Sequence, residues 1–199
     1  MKVCGLTGGV GMGKSTAARF FSEAGARIVD TDELACRLVQ PGEPALAEIQ
    51  AEFGKAILAP DGRLRRDELA RIVFTDAAKR RKLEAILHPR IQRLWLDQIA
   101  HWRAEGCKLA VVVIPLLFET RAESHFDETV CVACSAAAQC ERLLARGWTP
   151  EQIKQRIAAQ MPVEQKIVRA DFVIWTDGTP EVHANQVRQI LARIAPKRS

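Results

Sequence analysis

Hydrophobic and polar positions switch between two periods along this chain, and the switches predict its elements. Residues 2–6 form a short β-leaning run. A glycine-rich loop follows at 8–13. Residues 14–24 then recur at helical spacing, with Gly25 just past the end, where a helix-terminating glycine belongs. Arg27–Asp30 reads as a second short strand. A strand–helix–strand unit within about 30 residues implies a parallel sheet. Further on, 109–114 is a continuous β-branched run, as expected of a strand buried on both faces. Residues 129–133 form another strand, and Phe172–Trp175 the last. Helices are predicted at 136–145 and over Pro180–Ile194, with a short one starting at Pro162. At Thr149-Pro150-Glu151-Gln152 an N-cap Thr, an N1 Pro and an N3 Gln make a capping box that opens a helix to about Gln160.

Between 34 and 104 no strong strand signal appears. The pattern is helical in pieces, punctuated by Pro41-Gly42, Pro44, Pro60-Asp61-Gly62 and His88-Pro89. Ile91, Leu94, Trp95, Ile99 and Trp102 recur at helical spacing and form one apolar face, so the two Trp read as core rather than as a base-stacking platform. The expected fold is α/β, a three-layer parallel-sheet core with an all-helical insertion.

Composition narrows the class. The chain has 199 residues, 48% hydrophobic and 27% charged, which suits one domain carrying an insertion and excludes wholesale disorder. The longest apolar run, 109–118, is too short to span a bilayer, which takes about 20 residues. The N-terminus shows no signal-peptide core, so the expectation is a cytoplasmic protein with no membrane partner. The net charge of +5 fits either a nucleic-acid binder or an enzyme of polyanionic small molecules. The absence of Tyr weakens the first reading, and Lys79-Arg80-Arg81-Lys82 reads as a solvated helix face. The six cysteines show no framework spacing. Cys131 and Cys134 match C-x-x-C, but in a strand residues three apart face opposite ways, so they read as buried small apolar groups.

The candidate chemistry begins at Gly8-Gly9-Val10-Gly11-Met12-Gly13-Lys14-Ser15, which fits G-x-x-x-x-G-K-[ST] at every fixed position. Glycines let backbone N–H groups turn inward around phosphate oxygens, and a helix starting near Lys14 aims its dipole at the same anion. Lys14 is expected to reach the β- and γ-phosphates, Ser15 to ligate Mg²⁺ and Thr16 to add a contact nearer the α-phosphate. The motif follows a strand and opens a helix, which is the context a nucleotide site requires. A guanine-reading N-K-x-D is missing: the only Asn is Asn185, followed by Gln186. A small-molecule kinase fits better than a GTPase or a motor. Such an enzyme needs a carboxylate near the acceptor hydroxyl, and Asp30-Thr31-Asp32 stands at the carboxyl end of the second strand. Position alone leaves both Asp30 and Asp32 open as catalytic group or helix cap. Arg142, Arg146, Lys154, Arg156, Lys166 and Arg169 follow the fourth strand. Arg142 and Arg146 are spaced i,i+4 on one expected helix. These residues read either as part of a lid neutralising phosphate charge or as surface ion pairs with Glu141, Glu151 and Glu164.

Several further motifs occur in order: Leu87-His88-Pro89-Arg90-Ile91, Pro115-Leu116-Leu117-Phe118-Glu119, then Gln139, Arg142, Arg146, Arg156, Ala159-Gln160, Lys166 and Ala170-Asp171. Together with the phosphate loop and Asp30-Thr31-Asp32, they make nearly the whole chain resemble the dephospho-coenzyme A kinase family. The resemblance implies ATP-dependent phosphorylation of the ribose 3′-hydroxyl of dephospho-coenzyme A, with ATP as co-substrate, Mg²⁺ as metal, and no nucleic-acid partner. It implies a core at 1–33, 105–138 and 170–199, a helical substrate domain at 34–104 and a lid at 139–169. It favours Asp32 as the catalytic carboxylate, beside Lys14, and Ser15 and Asp32 at the metal. The nucleotide contacts are expected from Gly8, Gly9, Gly11, Met12, Gly13, Lys14, Ser15, Thr16, Arg142 and Arg146. Asp32, His88, Pro115, Leu116, Glu119 and Arg156 are expected on the acceptor side. A monomer or weak homo-oligomer is expected. One departure stands out. Where the family usually has Asn in I-x-N-x-G, this chain has Thr176, and no side-chain contact is assigned to it.

Overall fold

The computed structural model describes residues 1–194. Five parallel strands form one sheet in the order β2-β3-β1-β4-β5. They are β1 (Lys2–Gly8), β2 (Arg27–Asp30), β3 (Leu109–Val113), β4 (Glu128–Ala133) and β5 (Phe172–Trp175). The central β1 pairs Cys4 with Val111 and Leu6 with Val113 on one side, and Leu6 with Val130 and Thr7 with Cys131 on the other. Alternate residues meet the two faces. Cys4, Leu6, Val111, Val113, Val130, Val132 and Ile174 form the core against Ala17, Ala18 and Phe21 of α1 (Lys14–Glu23) and Val187, Ile190 and Ile194 of α9 (Pro180–Ile194). The opposite face is covered closely enough that a Cβ on Gly5 would lie 2.5 Å from Leu117 Cδ1 and 2.9 Å from Phe126. α8 (Val163–Arg169) packs against β1 and β4. Burial of 110–114 throughout agrees with the β-branched pattern there. The fold is thus the three-layer α/β sheet expected.

Residues Asp30–Gln98 form a compact unit distinct from the rest. It holds α2 (Thr31–Leu38), α3 (Pro44–Phe53), a 3-10 turn at Lys55–Ile57, α4 (Arg66–Thr75) and most of α5 (Ala77–Ala104). Its own core is Val39, Leu46, Ile49, Ile57, Leu69 and Val73, lined by Leu83, Ile86 and Leu87 of α5. The break expected at His88-Pro89 does not occur: α5 runs through Pro89 without interruption. Proline inside a helix removes an N–H donor and crowds the preceding turn, at a cost of about 3 kcal/mol. Here the Arg90 guanidinium donates to Ile86 O (2.6 Å) and pairs with Glu48 of α3. Leu83, Ile86 and Leu87, on the turns before Pro89, pack against the core of the unit.

One buried group makes stability depend on pH. His183 of α9 is 5% exposed, its ring edge-on to Phe20 (centroids 5.2 Å apart), and its Nε2 is buried with no hydrogen-bond partner. Burial first, then Arg142 and Arg19, push its pKa below the ordinary 6.5. The unfolded chain therefore takes up a proton more readily than the folded one, and stability falls as pH drops through about 6.5 toward the lowered native value. Thermal melts between pH 7.5 and 5.5 are expected to show a falling midpoint, with a shallower fall in His183→Leu. Equal slopes in the two proteins would remove His183 as the cause.

Candidate active site

The loop after β1 is built for an anion. At Gly8 φ is +144°, and an added Cβ would stand 2.2 Å from Val132 O, so only glycine lets the strand turn there. Gly13 is the N-cap of α1 in the left-handed region (φ +94°), with no side-chain cap on the helix. A helix start without a side-chain cap is the arrangement that suits an anion. Lys14 Nζ donates to Gly8 O and Gly9 O, both at 3.0 Å, which holds the ammonium across the loop. Ser15 is exposed in the first turn of α1, and Thr16 is half-buried beside it.

Three distant side chains fix this loop. Gln139 of α6 (Ala136–Leu144) donates from Nε2 to Val10 O (2.7 Å). Gln160, just past α7 (Pro150–Ala158), accepts from Val10 N (3.0 Å). Thr176, just past β5, donates to Met12 O (3.0 Å) while its own hydroxyl and carbonyl accept from Arg142. Thr176, to which the sequence assigned no contact, therefore braces the loop. A buried hydroxyl, both donor and acceptor, fits between a backbone carbonyl and a guanidinium. The roles of Gln139, Gln160 and Thr176 were missed from sequence. The first two lay inside recognised motifs, but nothing local shows that they reach back to Val10.

Arg142 is thus half-buried, with its guanidinium held on Thr176 just past β5. Arg146 does not share its helix face, because α6 ends at Leu144 and the chain turns at Gly147 (φ +80°). Arg146 lies exposed in that turn. The capping box of α7 is present in full: Thr149 Oγ1 accepts from Gln152 N, and Gln152 Oε1 accepts from Thr149 N. Arg156 stacks its guanidinium 4.2 Å over the Trp148 ring. Lys166 and Arg169 form ion pairs with Glu119 and Glu123 rather than with the glutamates that sequence spacing suggested.

The turn after β3 holds Pro115, Leu116 and Glu119. Pro115 O accepts from Thr7 Oγ1 (3.2 Å) and Lys166 Nζ (2.6 Å). Glu119 Oε1 pairs with Lys166 Nζ and accepts from Met161 N, both at 2.8 Å. Pro115 and Leu116 keep partly exposed sides.

Within Asp30–Gln98, one of the two aspartates is a helix cap. Asp30 is the N-cap of α2, its Oδ1 accepting from Asp32 N (2.8 Å). Asp32 is exposed in the first turn of the same helix. His88 is half-buried on α5. Burial pushes its imidazole below the ordinary value, opposed by Glu84 one turn earlier.

Cys4, Cys131 and Cys134 are buried, Cys36 and Cys107 half-buried and Cys140 exposed. Burial raises the Cys131 thiol to about 11 and Cys4 to about 12, leaving both un-ionised at neutral pH. Among the described residues no group of three or more His, Cys, Asp or Glu is placed to hold a metal.

The dephospho-CoA kinase family pattern matches residues 2–181. A dephospho-CoA kinase of Anaeromyxobacter dehalogenans is 44% identical over 96% of this chain and 92% of its own length. One of Geobacter sulfurreducens is 41% identical over 98% and 100%. A solved structure from Thermus thermophilus superposes with a TM-score of 0.82 at 34% identity, covering 98% of both chains. A braced phosphate loop at the edge of a five-stranded parallel sheet, matched to these proteins over nearly its whole length, places the chain in the dephospho-CoA kinase family.

Proposed function

We propose that this chain transfers the γ-phosphoryl group of ATP to the 3′-hydroxyl of the adenosine ribose of dephospho-coenzyme A, giving ADP and coenzyme A, the final step of coenzyme A biosynthesis. The observation that carries this reading is the family match over residues 2–181, joined to a loop that already holds Lys14 across its mouth. Gly8, Gly9, Gly11, Met12 and Gly13 supply backbone to the phosphates. Lys14 holds the β- and γ-oxygens, and Thr16 approaches the α-phosphate. Arg142 and Arg146 lie on the nucleotide side of a lid at 139–169. The core comprises 1–33, 105–138 and 170–199, and the helical segment 34–104 receives the acceptor. His88, Pro115, Leu116, Glu119 and Arg156 serve the acceptor side. Asp32, which follows the strand β2 at the carboxyl edge of the sheet, orients the ribose hydroxyl and takes its proton.

Mg²⁺ fits the donors available. Ser15 and Asp32 are its proposed donors, a set of two that suits a cation keeping most of its ligands from phosphate and water. When bound with ATP it spreads the charge of the phosphate oxygens. Among the described residues no helix is long and apolar enough to cross a membrane. We place the enzyme in the cytoplasm, acting on small molecules and not on nucleic acid, as a monomer or weak homo-oligomer.

The test is ADP release from ATP and Mg²⁺ with and without dephospho-coenzyme A, with the product's mass recorded. Acceptor-dependent release and one added phosphate are expected. Release without acceptor would point to a water-using ATPase. ATP binding without release would point to another acceptor, to be sought among nucleoside monophosphates.

A further inference from the structure

Lys166 has no exposed side-chain surface (0%), a costly place for an ammonium unless it is paired and hydrogen-bonded. Its Nζ meets Pro115 O at 2.6 Å and Glu119 Oε1 at 2.8 Å. Each of those atoms has a second partner. Pro115 O accepts from the hydroxyl of Thr7, the residue before the phosphate loop. Glu119 Oε1 accepts from Met161 N, at the junction of α7 and α8. Glu119 Oε2 is buried with no hydrogen-bond partner, so the carboxylate is committed to this network through one oxygen. Cys131, in register with Thr7, feels the same cation: Lys166 and Lys14 both oppose the rise that burial imposes on its thiol. One buried cation therefore joins the base of the phosphate loop, the turn after β3 and the chain leaving α7.

An apolar side chain of similar volume would be cheaper to bury. What the ammonium adds is direction, because it is satisfied only while both oxygens stay within hydrogen-bond reach. The turn and α8 then keep a single mutual arrangement. We infer that Lys166 is a positioning residue for the transfer: through Pro115 and Glu119 it fixes the acceptor-side turn against the phosphate loop and the segment 139–169. The inference rests on the acceptor role proposed above for that turn.

The test is the full-length Lys166→Met/Glu119→Gln double variant. It removes both charges together, and Gln keeps an acceptor for Met161 N. It is expected to fold, with a KM for ATP within about twofold of wild type. Its KM for dephospho-coenzyme A is expected to rise at least about tenfold, with a lower kcat. Wild-type values for all three constants would overturn the inference. If the double variant does not fold, Lys166→Arg alone serves: a selective rise of a few-fold in acceptor KM supports the inference, and an unchanged acceptor KM overturns it. Failure of the functional reading shows separately, because wild type itself would then not phosphorylate dephospho-coenzyme A. In that case hydrogen exchange decides the positioning. The amides of Thr120, Arg121 and Ala122, bonded back to Leu116, Phe118 and Leu117, are expected to exchange faster in the variant. Unchanged exchange would overturn it.

Discussion

Lys14→Ala is expected to lower kcat/KM for acceptor-dependent ADP release by about 10²–10³ while leaving the fold in place. The magnitude follows from removing one fixed donor aimed at charge that develops during transfer. The Lys14 ammonium is held 3.0 Å from both Gly8 O and Gly9 O. The stability cost is small by comparison, because the side chain lies at the loop surface and not in the core of Leu6, Phe21 and Val113. The loop stays anchored through Gln139, Gln160 and Thr176, none of which touches Lys14 in its bracing role. Lys14→Arg is expected to recover little, since a planar fork does not replace a compact ammonium inside a tight loop. A melt within a few degrees of wild type, beside the lost turnover, checks both halves. Wild-type turnover in Lys14→Ala would remove the loop from the mechanism.

Much of the fold was legible because local pattern and tertiary role coincide. The run 109–114 is β-branched, and it is buried on both faces. Thr149 and Gln152 carry their capping partners within one turn. What was not legible depends on groups delivered from far along the chain. Lys166 reads as a surface lysine until a carbonyl 51 residues away and a glutamate are brought to it. Thr176 reads as a missing Asn, yet its hydroxyl serves Met12, 164 residues distant. Pro89 reads as a break, yet α5 runs through it, with the Arg90 guanidinium bonded to Ile86 O alongside. Arg146 reads as a helix-face partner of Arg142, but the helix closes two residues before it. The glycine loop between β1 and α1, contiguous in sequence, was legible as a strand–loop–helix unit. The bracing of that loop was not.

Asp32→Asn is expected to lower kcat by at least about 10², with the KM for ATP little changed. Asn keeps the size and polarity of the side chain but cannot accept the hydroxyl proton, so the loss falls on the chemical step. The cap geometry sharpens the test. Asp30 already satisfies the start of α2 by accepting from Asp32 N at 2.8 Å. The Asp32 carboxylate is therefore not required as the cap, and its substitution carries no capping penalty. Asp30→Asn is the matched control, because Asn caps a helix about as well as Asp. That variant is expected to fold normally and to turn over near the wild-type rate. The pair separates position from chemistry: two aspartates, two residues apart on the same turn, with opposite expected effects. A large kcat loss in Asp30→Asn and none in Asp32→Asn would move the proton-accepting role to Asp30. Equal small losses would mean that the acceptor hydroxyl needs no carboxylate from this helix.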